Sequence, residues 1–274
     1  MVTLPIYDGH NIIRRFFETG QPIPSLIPQT TEPPRFWVFD GANSREYRTA
    51  IFPGYKSRKD TETPKSDGSY AMIDTIRREL LPHCNNTFIL QIPGYEADDV
   101  IAFLVEMLLT QVPNGTHYKI MSNDGDLHAL TEDRVSLEVA TALTKKVAPK
   151  DVRIFKTLVG DSSDCIPGLP GFGEGAFFKE SDDIRRQWET WCETGDAFAP
   201  FPVEGSQLRP GVRERLLEIE TRRNLLMYWK VIQPRPLDPE TFNKHLTISR
   251  DNPEAYKATL AKYYWDKHPT SPRS

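Results

Sequence analysis

Runs of apolar residues with the length and composition of β-strands recur over the first half of the chain. They are rich in aromatic and β-branched residues and lie at residues 3–8, 35–40, 87–91, 118–124 and 136–140. Apolar positions with helical spacing separate them, most clearly from Tyr70 to His83 and from Val100 to Leu109. Strands that alternate with helices predict an α/β fold with a mostly parallel central sheet flanked by helices.

The pattern changes after Pro149, where helices and glycine-proline turns replace the strands. Helical spacing predicts helices at residues 151–159 and 213–232, and glycines and prolines predict a tight turn at residues 160–175. The chain is therefore expected to have two parts. They are an α/β core at residues 1–148, which includes a basic irregular segment at 43–69, and a helical part at residues 149–274 that ends in C-terminal helices.

The composition is that of an ordinary soluble globular protein, with 38% hydrophobic and 26% charged residues among 274. No apolar run is long enough to span a bilayer, and the N-terminal residues lack the basic and apolar regions of a signal peptide. We therefore expect a cytoplasmic protein without a membrane partner. Cys84, Cys165 and Cys192 have no paired spacing, which argues against a disulfide framework and against a thiolate zinc site.

Three of the predicted strands end in an acidic residue, namely Asp8, Asp40 and Asp124. Because the ligand crevice of an open α/β sheet lies outside the carboxyl ends of its strands, we expect these carboxylates to meet in one cleft. Asp126 follows Gly125 at a turn from strand to helix. It can join the other acids or serve as the N-cap of the next helix, and the residues alone leave both roles open.

Three further acids, Glu96, Asp98 and Asp99, stand directly before the apolar run that starts at Val100. Carboxylates at a helix N-terminus accept hydrogen bonds from free N–H groups and oppose the helix dipole, and one acid is enough for that role. Three adjacent acids also repel one another, and a bound cation would offset this repulsion. The cluster therefore fits a helix cap and a metal site equally well.

Asp161 and Asp164 lie three residues apart in the predicted turn, where either can form an Asx turn or bind a cation. The complete set of candidate metal ligands is Asp8, Asp40, Glu96, Asp98, Asp99, Asp124, Asp126, Asp161 and Asp164. Oxygen ligands select hard cations such as Mg²⁺ or Mn²⁺. So many acids suit two or more ions, and two ions about 4 Å apart can hold a phosphodiester and activate a water molecule.

The net charge of −4 argues at first against a nucleic-acid partner. The distribution of charge matters more than its sum, however. Setting the nine candidate ligands aside from the 38 acidic residues leaves 29 acidic against 34 basic residues. The acidic composition is therefore compatible with DNA binding, although it does not support it.

Six short motifs occur in order along the chain. They are Tyr7–Asn11, Val38–Gly41, Gly54–Lys56, Gly94–Asp99, Ser122–Leu127 and Gly160–Gly173. This ordered set resembles the 5′-nuclease superfamily, which includes flap endonucleases, bacteriophage 5′-to-3′ exonucleases and the small nuclease domain of bacterial DNA polymerase I. The resemblance implies a PIN-like nuclease core, and the size of the chain is most similar to that of stand-alone phage enzymes.

The resemblance also implies two sets of metal ligands that share Asp124. The first set is Asp8, Asp40, Glu96, Asp98 and Asp99, and the second is Asp126, Asp161 and Asp164. Residues 158–180 would form a helix–hairpin–helix-type DNA-binding turn, where Gly168, Gly171 and Gly173 let backbone N–H groups approach duplex phosphates beside a K⁺ ion. Cys165 and Gly175 depart from the family pattern of asparagine and a phosphate-contacting lysine.

The basic segment at 43–69 would be the family's arch, which admits a 5′ single strand, although it is short for a threaded helical arch. Lys56 matches a position implicated in catalysis, and Arg15 is expected to contact phosphate there, since positive charge stabilises a scissile phosphate. Tyr55 is expected to stack on a base. The predicted DNA contacts outside the turn are Arg45, Arg48, Tyr55, Arg58, Lys59 and Lys156.

The resemblance therefore predicts a Mg²⁺- or Mn²⁺-dependent 5′-nuclease that acts by a two-metal mechanism on 5′ ends and 5′ flaps of DNA in replication or repair. A monomer is expected, in a bacterial or phage-infected cell, and an RNA primer paired with DNA is a further candidate substrate. Two other functions are compatible with the same motifs: a catalytically silent DNA-junction binder or replication accessory protein, and an RNase H-like nuclease that acts on RNA–DNA hybrids.

Overall fold

The computed structural model describes residues 2–20, 34–57, 68–112, 115–138 and 143–259. These residues divide into two compact units. The first unit comprises the described residues of 1–44, 64–141 and 236–274, and the second comprises those of 45–63 and 142–235.

The first unit contains a six-stranded sheet with the strand order β5-β4-β1-β2-β3-β6. Its strands are β1 (Val2–Asp8), β2 (Arg35–Asp40), β3 (Thr87–Ile92), β4 (Thr116–Met121), β5 (Val135–Leu137) and β6 (Leu246–Ile248). Strands β1 to β5 pair in parallel, whereas β6 runs antiparallel to β3. The predicted α/β fold with a mostly parallel central sheet is confirmed.

The α-helices, in chain order, are α1 (Gly9–Thr19), α2 (Glu46–Ile51), α3 (Ser69–Thr75), α4 (Ala97–Gln111), α5 (Val152–Val159), α6 (Glu174–Phe177), α7 (Asp182–Thr194), α8 (Pro210–Leu217), α9 (Ile219–Ile232) and α10 (Pro239–His245). Shorter helical segments are a π-helix at Ile76–Leu80 and 3₁₀-helices at Leu81–His83, Asp126–Leu130 and Pro149–Asp151. Residues 253–259 are also helical. None of the described helices is both long and apolar enough to cross a membrane.

Strand β2 lies in the middle of the sheet and is buried on both faces. Trp37, Val38 and Phe39 are fully buried, and the ring of Trp37 stacks on that of Tyr7 in β1, with 4.4 Å between the ring centroids. A parallel strand covered on both sides is expected to be almost continuously apolar, which is the pattern of this segment. The sheet therefore holds the carboxyl ends of β1 and β2 rigidly side by side.

Two apolar clusters cover the two faces of this sheet. One forms around α4, whose side chains at Val100, Ile101 and Leu104 are fully buried, and it includes Phe242 of α10. The other forms around α1 and the helical segment 69–83, and it includes Tyr256. Residues beyond 235 thus contribute to the core of the first unit.

The segments group differently from the predicted division at residues 148 and 149. Residues 236–259 belong with the sheet, because β6 pairs with β3 and Phe242 enters the core. Residues 45–57 belong with the second unit, because α2 packs on α9, where the rings of Phe52 and Tyr228 lie 5.5 Å apart. The predicted helix at 213–232 is two helices, since Glu218 adopts an extended backbone conformation between α8 and α9.

The second unit is helical and has an aromatic core. Trp188 of α7 and Phe177 of α6 are fully buried. The ring of Phe177 lies edge-on to Phe155 of α5, and the ring of Trp188 lies edge-on to Phe172, which precedes α6. These contacts fix α5, the glycine-rich segment that follows it and α7 as one packed body.

Candidate metal centres and nucleic-acid interface

Asp8 lies at the carboxyl end of β1, where it begins α1 as its N-cap. Its Oδ1 accepts a hydrogen bond from the backbone N–H of Asn11 at 3.3 Å, and its Oδ2 accepts one from Ser122 Oγ at 2.8 Å. Ser122 directly follows β4, which pairs with β1 through Tyr7 and Met121. The parallel register therefore brings the two strand ends into hydrogen-bonding contact, as expected for a crevice at this edge.

The hydrogen bonds continue from Ser122 along the chain. The backbone N–H of Asp124 donates to Ser122 Oγ, and the backbone N–H of Asp126 donates to Asp124 Oδ1, both at 3.0 Å. Gly125 is the N-cap residue of the 3₁₀-helix, so Asp126 lies in its first turn and does not cap it. Asp8, Asp124 and Asp126 are thus connected through the Ser122 hydroxyl, which is fully buried.

Asp40, at the end of β2, is held at three atoms. Its Oδ1 accepts from the backbone N–H of Ala97 at 2.8 Å, its N–H donates to His10 Nδ1 at 3.1 Å, and its carbonyl accepts from Gln91 Nε2 at 3.0 Å. Burial, which outweighs the effect of the Asp40 carboxylate, lowers the pKa of His10, so the neutral ring accepts this hydrogen bond. These contacts fix Asp40 at the N-terminus of α4.

Glu96 and Asp99 form a capping box at the start of α4. Asp99 Oδ2 accepts from the backbone N–H of Glu96 at 3.1 Å, and the Glu96 side chain accepts from that of Asp99. Asp98 Oδ1 also accepts a hydrogen bond from the backbone N–H of Asp99, at 3.0 Å. The helix cap considered from the sequence is therefore present, since all three acids accept hydrogen bonds from backbone N–H groups at the start of α4, and their metal-binding role stays a prediction.

Electrostatics distinguish Asp8 from an ordinary surface carboxylate. Burial, together with the negative charges of Asp40 and Asp124, raises the pKa of Asp8 to about 8, although Ser122 and Asn11 donate hydrogen bonds to it. Oxygen atoms dominate this donor set, and the mutual repulsion of its carboxylates is what a divalent cation would relieve. The chemistry of Asp8, Asp40 and Asp124 suits a hard divalent cation, and the binding of one by these three residues stays a prediction.

In the second unit, the segment after α5 is a close-packed glycine turn. Gly160 and Gly168 have φ values of 95° and 71°, in the left-handed region that favours glycine. A Cβ atom on Gly168 would lie 2.5 Å from the backbone nitrogen of Gly160, so that no side chain fits there. Gly171 has a φ of 82°, whereas Gly173 has ordinary extended geometry and open space around its Cα. DNA binding by this turn stays a prediction.

Asp161 begins the loop within this turn and forms an Asx turn. Its Oδ1 accepts from the backbone N–H and the hydroxyl of Ser163 at 2.7 and 2.6 Å, and its Oδ2 lies 2.5 Å from Lys156 Nζ. Burial raises the pKa of Asp161, but Lys156 and Ser163 outweigh this effect and hold the pKa below its usual value. Lys156 is buried and paired with Asp161, which does not fit its predicted contact with DNA phosphate.

Lys56 and Asp164 lie together in the second unit. The backbone N–H of Lys56 donates to the Asp164 carbonyl at 3.1 Å, and Lys56 Nζ lies 3.9 Å from Asp164 Oδ1. The φ of 51° at Lys56 turns the chain so that its ammonium group lies 4.8 Å from the centre of the Tyr55 ring. The structure thus brings the predicted catalytic lysine next to a predicted metal ligand.

Two predicted DNA contacts in the basic segment, Arg48 and Tyr55, are buried. Arg48 is 3% exposed and donates from Nε to the carbonyl of Val231 at 2.9 Å, so it ties α2 to α9. Tyr55 is 4% exposed and does not present its ring for base stacking. Charge and aromatic character alone do not reveal this burial, because it depends on packing in the folded unit, which for Arg48 includes the contact with Val231 of α9.

The remaining predicted contacts are placed as follows. Arg15 is exposed on α1, and Arg45 is half-buried and lines an open surface pocket of about 470 Å³ before α2. Their roles at phosphate stay predictions. Arg58 and Lys59 lie outside the described residues. That Asp126 completes a ligand set with Asp161 and Asp164 also stays a prediction.

Comparison with known families settles which family these motifs represent. The family described as 5′-3′ exonuclease, N-terminal resolvase-like domain, matches residues 3–154. The chain belongs to this 5′-3′ exonuclease family. A relative named 5′-3′ exonuclease from Aquifex aeolicus is 31% identical over 223 residues, which cover 69% of this chain and 74% of the relative.

Other similar proteins extend the comparison. The thermostable DNA polymerase I of Thermus thermophilus is 30% identical over 210 residues, covering 67% of this exonuclease-family chain but only 24% of the polymerase. A solved structure of the bacteriophage T5 5′-exonuclease with zinc bound matches with a TM-score of 0.60 and 19% identity, over 96% of this chain and 97% of the T5 protein. A T5 flap endonuclease complex with DNA and metal ions matches with a TM-score of 0.56. These likenesses show a shared fold.

Two residues of this 5′-3′ exonuclease-family chain were missed by sequence reasoning. Ser122 connects Asp8 to Asp124, and His10 accepts the N–H of Asp40. Both lie inside recognised motifs, each two residues from a predicted ligand. Their roles depend on contacts across neighbouring strands, however, which the spacing of residues along one strand does not reveal.

Proposed function

We propose that this chain is a structure-selective 5′-nuclease that requires Mg²⁺ or Mn²⁺ and hydrolyses phosphodiesters at the 5′ ends and 5′ flaps of DNA. The observation that carries this proposal is the buried Asp8 carboxyl, bridged through Ser122 to Asp124 at the ends of neighbouring parallel strands. Membership of the 5′-3′ exonuclease family supports it, as do the T5 relatives described with DNA and metal ions.

The first ion would be held by Asp8, Asp40 and Asp124, with Glu96, Asp98 and Asp99 beside them, and a second by Asp126, Asp161 and Asp164. Bound ions would lower the pKa of the attacking water and stabilise the leaving oxygen. Ser122 keeps the Asp8 and Asp124 carboxylates in place, because its hydroxyl donates to one and accepts from the backbone of the other. Lys56 supplies positive charge for the scissile phosphate.

Selection of the substrate would depend on its shape. The turn at residues 158–180 would bind the duplex phosphates, with a K⁺ ion among its carbonyl groups, and the basic segment would admit the 5′ single strand. Contacts to phosphate carry no base information, so the base sequence should matter little. The same arrangement would accept an RNA primer at the 5′ end, and we expect a cytoplasmic, monomeric protein.

The decisive test is cleavage of a labelled 5′-flap duplex by the wild-type protein and by Asp124→Asn, with Mg²⁺ and with EDTA. Wild type should cleave near the flap junction only with Mg²⁺. Asp124→Asn keeps an oxygen for the N–H of Asp126 but removes a charge, so it should cleave at least about 1,000-fold more slowly and bind the flap normally. Binding without cleavage by wild type would favour the junction-binding alternative, and equal rates would remove Asp124 from the site.

A further inference from the structure

Lys156 has an unusual environment for a lysine in a nucleic-acid enzyme. Its side chain is 8% exposed, and its Nζ lies 2.5 Å from Oδ2 of Asp161, whose own side chain is 10% exposed. The other oxygen of Asp161 accepts two hydrogen bonds from Ser163. Both carboxylate oxygens are therefore held by donors of the same unit, and one of those donors is a cation.

We propose that the Lys156 ammonium is an internal counter-ion that occupies Asp161 until a divalent cation displaces it. Lys156 then weakens the binding of that cation, and it is not a phosphate contact. This inference rests on the proposed function, in which Asp161 is a ligand of the second ion. It adds a residue of this chain that sets how readily the ion binds.

The argument depends on burial and distance. A hydrogen-bonded ammonium group at 2.5 Å takes up acceptor capacity of this carboxylate oxygen, and two cations so close repel each other strongly where little water screens them. A divalent ion that binds Asp161 must therefore compete with the Lys156 contact. The same contact keeps the ammonium group away from solvent, where a DNA phosphate would have to meet it.

Two other lysines of the second unit show that this arrangement is particular to Lys156. Lys56 Nζ lies 3.9 Å from Asp164 Oδ1, which is beyond hydrogen-bonding distance. Lys150 pairs with Asp182 at 2.6 Å, but both side chains are more than half exposed. Water screens that pair, so its removal should have little effect on other sites. Lys150→Met is therefore a matched control for Lys156→Met.

The first experiment measures Mn²⁺ binding without DNA, by the loss of the electron paramagnetic resonance signal of free Mn²⁺. Asp161→Asn identifies which of the Mn²⁺ sites involves Asp161, because Mn²⁺ should bind that site more weakly or not at all in this variant. In Lys156→Met the same site should bind Mn²⁺ roughly tenfold more tightly, as expected for loss of a buried competing cation. Lys150→Met should bind Mn²⁺ like wild type.

Lys156→Met leaves a buried carboxylate without its counter-ion, so a variant that keeps a hydrogen-bond donor is also needed. Lys156→Gln can still donate to Asp161 but carries no charge. It should fold where the methionine variant does not, and it should also bind Mn²⁺ more tightly than wild type. Unchanged Mn²⁺ affinity in a folded Lys156 variant overturns the proposal.

The second experiment measures flap-DNA binding in EDTA over a range of salt concentrations. A phosphate contact contributes about 0.9 to the slope of log affinity against log salt, so its loss would lower both slope and affinity. We expect the DNA affinity of Lys156→Gln to match that of wild type within about twofold, with the same salt slope. A lower slope would show that Lys156 does contact phosphate.

The two experiments distinguish failure of the proposed function from failure of this inference. If wild type neither binds Mn²⁺ nor cleaves, the proposed function fails. If wild type does both and the Lys156 variants bind Mn²⁺ with wild-type affinity, only this inference fails.

Discussion

Asp8→Asn is expected to stabilise the metal-free protein at neutral pH. Burial and the charges of Asp40 and Asp124 raise the pKa of Asp8 from 3.8 to about 8. Between these values the folded protein retains a proton that the unfolded chain has lost, so its stability falls as pH rises. Asparagine does not titrate, and it accepts the N-cap hydrogen bond from Asn11 as well as aspartate does.

The size of the effect follows from one retained proton. Such a proton changes the free energy of unfolding by about 1.4 kcal/mol per pH unit. From about pH 5 to about pH 7, which lies inside the window set by the two pKa values, wild type should lose about 2.7 kcal/mol relative to Asp8→Asn. Above about pH 8 the folded protein ionises as well, and the difference should level off.

The assay is urea denaturation of both proteins in EDTA at several pH values across this range. The quantity of interest is the wild-type stability minus that of Asp8→Asn, because other titrating groups contribute to both proteins and cancel. If this difference changes by less than about 0.5 kcal/mol over the two pH units, Asp8 does not hold a proton and the electrostatic reasoning is wrong.

Metal binding provides an independent check on the same proton. A divalent cation binds the ionised carboxylate, so binding near neutral pH should release about one proton from wild type and none from this residue in Asp8→Asn. Calorimetric titration of Mg²⁺ in buffers with different ionisation enthalpies measures that release. The affinity of wild type should also rise up to about tenfold per pH unit below the pKa of Asp8.

Three further changes test other parts of the structure. Lys56→Ala should reduce single-turnover flap cleavage about 100-fold with less than about threefold loss of DNA affinity, and an unchanged rate would exclude Lys56 from the reaction. Ser122→Ala should weaken Mg²⁺ binding roughly tenfold, whereas Ser122→Thr, which keeps the hydroxyl, should restore it; equal affinities would remove the bridging role. Gly168→Ala should destabilise the protein by about 3 kcal/mol in urea denaturation, whereas Gly173→Ala should cost under about 1 kcal/mol.

The strands of the sheet were predictable because burial on both faces demands continuous apolar sequence. Residues 35–40 contain the aromatic and β-branched side chains that the centre of a parallel sheet requires, and they form β2. Strand β6 was not predictable, because Leu246–Ile248 has no pattern of its own and becomes a strand only by pairing with the edge of β3. The predicted division therefore places residues 236–259 with the helical part, whereas the structure groups them with the sheet.

The break between α8 and α9 was also beyond sequence reasoning. The apolar spacing continues through Leu216, Leu217 and Ile219, and neither proline nor glycine interrupts it. Glu218 nevertheless adopts a ψ of 124°, and Arg222 donates from its guanidinium group to the carbonyl of Leu216 across the break. This hydrogen bond between Arg222 and Leu216 stabilises the bend, and a continuous helix would not bring the two groups together.

The candidate site divides in the same way. Acids at strand ends were predictable, since the topology of a parallel sheet gathers these ends at one edge. Whether a basic residue is exposed was not predictable, because Arg48 and Lys156 look like surface residues in sequence and are buried by packing. Each forms a specific contact, with the carbonyl of Val231 and the carboxylate of Asp161, that only the folded unit provides.

The unfavourable burial of a carboxylate is offset in different ways in the two units. Burial and neighbouring charges raise the pKa of Asp8 to about 8 and so favour its protonated form at neutral pH, whereas Lys156 and Ser163 lower the pKa of Asp161 and so favour its ionised form. A divalent ion would therefore compete with a proton at Asp8 and with an ammonium group at Asp161. Because only the first competition depends on pH near neutrality, raising the pH should tighten binding at Asp8 and leave binding at Asp161 unchanged. The relative occupancy of the two sites should then depend on pH, even though both are built from aspartates.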